Sequence, residues 1–160
     1  MMGVASCGKT TVGEALAARL GADFIEGDRL HPKANIEKMS SGIPLTDEDR
    51  WPWLSLVGER LQGPGGRVAS CSALKRAYRG QITKAAGRPV YFVFLDGSRE
   101  HLERRIAARK DHFMPPSLLA SQLAALERPA PDERAKAFDV SQTVEEIVAQ
   151  ASAWLLQAME

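Results

Sequence analysis

Gly3-Val4-Ala5-Ser6-Cys7-Gly8-Lys9-Thr10 spells G-x-x-x-x-G-K-T, and the reading of this stretch decides the fold. Two glycines let the backbone turn tightly enough for successive N–H groups to point inward, which makes a cradle for phosphate oxygens. Lys9 at this spacing reaches the β- and γ-phosphates of a nucleotide, and the Thr10 hydroxyl supplies a ligand to Mg²⁺. Thr11 to Leu20 continues as a helix-forming run stopped at Gly21, with Val12, Leu16 and Leu20 as its expected buried stripe. That helix aims its positive N-terminal end at the phosphates. Gly3, Val4, Ala5, Ser6, Cys7, Gly8, Lys9, Thr10 and Thr11 are therefore the expected nucleotide contacts. Cys7, at the same positive end, is expected to carry an acidified, reactive thiol.

A loop of this kind leaves the end of a buried strand, and only Met1 and Met2 precede Gly3. The first strand is therefore expected to be truncated, since about five or six residues are usual. The 160 residues suffice for one domain with a proper core, expected to span 1–160. With 21 basic and 20 acidic residues the formal charge is +1, which argues against a general nucleic-acid or membrane-surface binder. There is no apolar run of transmembrane length and no leader, so a cytoplasmic location is expected. Cys7 and Cys71 make no metal pattern and are expected to be reduced thiols.

Outward from the first helix, Ala22–Ile25 suits a short buried strand ending at Glu26-Gly27-Asp28. Lys33–Ser40 predicts a helix, and Thr46-Asp47-Glu48-Asp49 resembles a capping box opening a helix with Trp53, Leu54, Val57 and Leu61 on its core face. After the Gly63–Gly66 turn come a weak strand at Val68–Cys71 and a helix from about Leu74 to Ala86. Val90–Leu95 is an uninterrupted apolar strand, expected to be buried on both faces. Ser98 caps the next helix; breaks at Pro115-Pro116 and Pro129–Pro131 flank a helix over Ser117–Leu126. A short strand at Phe138–Val140 and a helix over Val144–Gln157 close the chain. Such alternation predicts an α/β fold: a parallel sheet with helices on both faces and a site at the carboxyl ends of the strands, around Cys7, Asp28 and Ser72.

In Glu26-Gly27-Asp28-Arg29-Leu30-His31-Pro32 two carboxylates flank a glycine at a strand end. Alone, this is a turn with solvated acids. Beside a phosphate loop it suits phosphoryl transfer to an alcohol, which needs an acceptor for the hydroxyl proton and a well-placed metal. Asp28 fits the first role, and Glu26 would help hold the water shell of Mg²⁺.

Further motifs follow in order: N-I-x-K-M at Asn35–Met39, G-x-P-L-x-D-x-D-R-x-P-W-L at Gly42–Leu54, Cys71–Lys75, and Tyr78-Arg79. Then come Arg109-Lys110-Asp111-His112-Phe113-Met114-Pro115, Ser117-Leu118-Leu119, Ser121-Gln122 and Leu126-Glu127-Arg128-Pro129. Over nearly its whole length the chain resembles the gluconate kinases, small P-loop enzymes that phosphorylate the 6-hydroxyl of D-gluconate with ATP. The resemblance implies a parallel sheet of five strands of the nucleoside-monophosphate-kinase type, with a lid at about 109–116. It implies ATP and Mg²⁺ as cofactors, gluconate as the small-molecule partner, and a homodimer.

A flexible polyol bearing one carboxylate needs several donors and a fixed cation. Arg50, Lys75 and Arg79 are the candidates for the carboxylate; His31, Asn35, Lys38 and His112 would address the rest of the substrate. Arg105 and Arg109, four apart on one helix face, would neutralise the transferred phosphoryl oxygens as a lid closes. Lys9, Asp28 and Arg109 are thus the expected catalytic groups, with Thr10 and Glu26 at the metal. Trp51 and Trp53 are expected to be packing anchors.

Three other readings carry discriminating features. A shikimate kinase would show a glycine run after the third strand, whereas Gly65-Gly66 lies before Val68. A GTPase switch would carry N-K-x-D and D-x-x-G, which are absent. A catalytically impaired P-loop module would bind nucleotide without turnover.

Overall fold

The computed structural model describes residues 1–109 and 116–160. Among the described residues, four strands and seven helices follow the expected alternation: α1 (Lys9–Leu20), β1 (Asp23–Glu26), α2 (Lys33–Ser40), α3 (Asp47–Arg60), β2 (Arg67–Ser70), α4 (Arg76–Ala86), β3 (Phe92–Asp96), α5 (Arg99–Ala108), α6 (Pro116–Ala125), β4 (Ala135–Asp139) and α7 (Val144–Ala158). A 3₁₀ turn at Gly27–Leu30 follows β1. Among the described residues no helix is long and apolar enough to cross a membrane.

Both strand pairs are parallel. β1 runs beside β2 with Asp23 opposite Arg67, and β3 beside β4 with Phe92 opposite Ala135. Met1–Gly3 is hydrogen-bonded to both pairs. Cys71 N–H donates to Met1 O at 3.0 Å and Gly3 N–H to Ser72 O at 3.2 Å; on the other side Met2 N–H donates to Val93 O at 2.9 Å and Leu95 N–H to Met2 O at 3.0 Å. Met2 is fully buried. The two residues judged too few to supply a strand therefore still satisfy backbone groups of both neighbours.

Local signals place the helices. Thr46 Oγ1 accepts from Asp49 N–H while Asp49 accepts from Thr46 N–H, completing the expected capping box of α3. Ser98 caps α5 by accepting from His101 N–H. α1 packs on α7 and against β1 and β2, and α3 packs on α4. Phe92, Val93, Phe94 and Leu95 are all buried, as expected of a strand covered on both faces.

Some boundaries differ. The buried stripe of α1 is Val12, Gly13, Leu16 and Ala17, and Leu20, the last residue of the helix, lies 36% exposed. β3 begins at Phe92 instead of Val90. β4 begins at Ala135 and not Phe138, since pairing with β3 outweighs the weak strand tendency of Ala135, Lys136 and Ala137. Arg109 is the C-cap of α5 with extended backbone, so it leaves the helix face of Arg105.

Candidate active site

The phosphate loop closes against the sheet through Gly3. A Cβ there would lie 2.8 Å from Cys7 Sγ and 2.9 Å from Leu95 O, and its φ is +144°, so only glycine fits. Ser6 takes a left-handed φ of 63°, a strained conformation for a residue with a side chain. Lys9 Nζ donates to the carbonyls of Gly3 at 3.1 Å and Val4 at 3.0 Å, across the loop it serves. Cys7 corrects its expectation: the thiol is buried against Gly3 and sheltered from reagents. Both cysteines are free, and burial pushes the Cys71 thiol up to about 12.

Thr10 and Glu26, the two residues expected at the metal, are hydrogen-bonded to each other. Thr10 Oγ1 donates to Glu26 Oε2 at 2.5 Å, and Ser70 Oγ donates to Glu26 Oε1 at 2.5 Å. Ser70 Oγ in turn accepts from Gly27 N–H at 3.1 Å. Gly27 is sterically required, since a Cβ would stand 1.8 Å from Ser70 O. The hydroxyl and carboxylate are hard oxygen donors suited to Mg²⁺. Among the described residues no cluster of three His, Cys, Asp or Glu forms a protein cage.

Asp28 follows on the 3₁₀ turn. Although the residue is exposed overall, the surrounding protein desolvates its carboxyl and raises its pKa; Lys9 opposes that rise and Glu26 adds to it. The expected proton acceptor therefore stands within electrostatic reach of the phosphate-loop lysine.

The acceptor side is built from α2, α3 and the turn into α4. Lys38 Nζ pairs with Asp49 Oδ2 at 2.7 Å, which holds that carboxyl down to about 2. Arg50 Nη1 donates to Leu45 O at 2.6 Å and to Tyr78 OH at 3.2 Å. Lys75 Nζ pairs with Asp47 Oδ1 at 3.2 Å, and Tyr78 OH donates to the same oxygen. Those two donors hold the Asp47 carboxyl below its ordinary range, the Tyr78 hydroxyl contributing most.

Three expected ligands turn inward. His31 is buried and stacked on Trp53 with ring centroids 3.9 Å apart, and burial together with Arg50 lowers its pKa to about 4. Asn35 is buried and spends its Nδ2 on His31 Nδ1 at 3.2 Å and Asp49 O at 2.9 Å. Arg79 is corrected outright. Its guanidinium is buried, bidentate to Glu133 at 2.7 and 3.1 Å, and bonded to the carbonyls of Ala73 and Leu74. It shapes the loop after β2, where Ala73 holds a φ of 46°, and presents no charge to an acceptor. Trp53, donating to Gly27 O at 2.8 Å, is a packing anchor as expected.

Arg105 lies over the phosphate loop, donating to Cys7 O at 3.2 Å and Val140 O at 3.3 Å. His112 and most of the expected lid lie outside the described residues. Sequence reasoning assigned no role to Gln122, whose Oε1 accepts from Ala5 N–H at 2.7 Å, because no local pattern signals a contact across 117 residues.

A shikimate kinase from Bacteroides thetaiotaomicron superposes with a TM-score of 0.65 at 19% identity, covering 96% of this chain and 95% of that one. With the phosphate loop at the sheet ends, this makes the fold that of the P-loop kinases. A family model described as AAA domain matches residues 1–129. The gluconokinase of Gluconobacter oxydans (strain 621H) is 53% identical over 137 residues, which is 83% of this chain and 76% of that protein. A crystal structure of a gluconokinase from Sinorhizobium meliloti 1021 superposes with a TM-score of 0.91 at 53% identity, covering 98% of this chain and 90% of that one. The chain belongs to the gluconokinase family.

Proposed function

We propose that this protein catalyses direct phosphoryl transfer from ATP to the 6-hydroxyl of D-gluconate, giving ADP and 6-phospho-D-gluconate. Beyond family membership, one observation carries the reading: Glu26, hydrogen-bonded to Thr10 of the phosphate loop at 2.5 Å, leads directly into the 3₁₀ turn that carries the Asp28 carboxyl. A bond forms from the gluconate hydroxyl oxygen to the terminal phosphorus, the bond to ADP breaks, and the hydroxyl proton passes to Asp28. Lys9 and Arg105 balance charge on the phosphoryl oxygens, joined by Arg109. Thr10 and Glu26 would hold Mg²⁺, which when bound neutralises charge on the β- and γ-phosphates.

Arg50 and Lys75 receive the gluconate carboxylate and Lys38 the hydroxyls, and His112 is a further substrate ligand. His31 and Asn35 brace α2 beneath them. Residues 1–160 act as one kinase domain whose two strand pairs continue through Met1–Gly3 into a single five-stranded sheet, and the protein works as a cytoplasmic homodimer.

The test is ADP release from MgATP with a panel of sugar acids and shikimate. Turnover with gluconate above the others is expected. Stimulation by shikimate and not gluconate would overturn the acceptor, and nucleotide binding without turnover would mark an impaired module.

A further inference from the structure

Gln122 has no part in the chemistry described so far. It stands on α6, and its Oε1 accepts from the Ala5 N–H at 2.7 Å. The carbonyl of that same peptide, Val4 O, accepts from Lys9 Nζ at 3.0 Å. One peptide unit of the phosphate loop is thus gripped from both sides. Lys9 is the residue that reaches the β- and γ-phosphates, so the gripped peptide lies at the end of the loop that holds the terminal phosphoryl group. Val4 and Ala5 are buried, and an amide there without a partner would be costly.

α6 is well placed to hold such a grip. Leu119 is buried in the core. Just beyond the helix, Glu127 N–H donates to Leu74 O at 2.8 Å, and Glu127 Oε2 accepts from Arg76 N–H at 2.8 Å. The same segment therefore touches the phosphate loop at one end and the acceptor-side loop at the other. The chemistry of the side chain is also specific. A carboxylate in this place would accept from Ala5 equally well, but it would repel a terminal phosphate; a carboxamide accepts without charge.

We propose that Gln122 is a positioning residue for phosphoryl transfer, holding the Val4–Ala5 peptide where the terminal phosphate docks and thereby favouring nucleoside triphosphate over diphosphate. This rests on the ATP-dependent kinase reading of the loop and not on the identity of the acceptor.

Gln122→Glu and Gln122→Leu test it, by calorimetric titration with ADP and with a non-hydrolysable ATP analogue, thermal melting, and kcat and KM for ATP. Gln122→Glu keeps the acceptor and is expected to melt like the parent. It should lose roughly tenfold more affinity for the triphosphate analogue than for ADP, most strongly at low salt. Gln122→Leu should lower kcat/KM for ATP by about tenfold. Parent-like affinities in both variants would overturn the proposal. So would an equal loss for both nucleotides that follows a fall in melting temperature, since that marks a merely structural bond. Failure of the parent to phosphorylate gluconate, with the triphosphate preference still lost in Gln122→Glu, would sink the acceptor assignment and leave this one standing.

Discussion

Arg79→Met removes a guanidinium whose side chain is 3% exposed while keeping much of its stem volume, and its partner Glu133 is 11% exposed. The substitution strands that carboxylate and frees the carbonyls of Ala73 and Leu74 from their donor. Breaking one side of a buried pair costs about 3–5 kcal/mol. For a chain of this size each kcal/mol is worth roughly 2–4 °C, so the melting temperature should fall by about 6–20 °C. Arg76→Met is the internal control, because its pair with Asp132 is 55% and 65% exposed and solvent screens it, so its loss should barely move the melting temperature. Arg79→Met/Glu133→Leu should recover part of the loss by removing the stranded charge. Acid adds a second readout. Arg79 holds the Glu133 carboxyl below its ordinary range, so the pair's stability is complete above the ordinary carboxylate pKa and is lost as pH falls through the depressed folded value. That acid sensitivity should be weaker in Arg79→Met. Thermal melts and urea titrations at several pH values measure all of this. An Arg79→Met protein that melts with Arg76→Met but shows a raised KM for gluconate would refute the reasoning and return Arg79 to the acceptor site.

Asp28→Asn should reduce turnover to near background while calorimetry shows nucleotide affinity largely kept; retention of most of the turnover would remove Asp28 as the proton acceptor. His31, with its pKa lowered from 6.5 to about 4, binds a proton when unfolded but not when folded between those values, so stability should fall as pH drops through that window. The loss is about 2 kcal/mol by pH 5. The shift in urea midpoint between pH 7 and pH 5 should shrink in His31→Gln, and an unchanged shift counts against the buried neutral imidazole. Gly27→Ala drives a Cβ to within 1.8 Å of Ser70 O and should leave little folded protein; a variant that melts near the parent would contradict the packing of β1 on β2.

What was legible in the sequence was local. The glycines and lysine of the phosphate loop, the Thr46–Asp49 box, the Ser98 cap and the apolar run of β3 are each written within a few consecutive residues, so spacing alone reveals them. Contacts set by the folded chain were not legible. β4 forms over Ala135–Asp139 because the backbone of β3 needs a partner there, and not because Lys136 and its neighbours favour a strand. The cations of the acceptor side show the same limit more sharply. Arg50, Lys75 and Arg79 look alike in sequence: basic residues in motif positions, each a fit ligand for a carboxylate. What separates them is which carboxylate of the fold claims the charge. Glu133, 54 residues from Arg79 and nearly buried, takes that guanidinium completely and converts it into a loop brace. Asp47, 28 residues from Lys75 and 41% exposed, holds its lysine at a distance of 3.2 Å where solvent and an incoming anion can compete. A cation becomes a binding group or a structural one according to the burial of its partner, and burial is a property of the assembled fold.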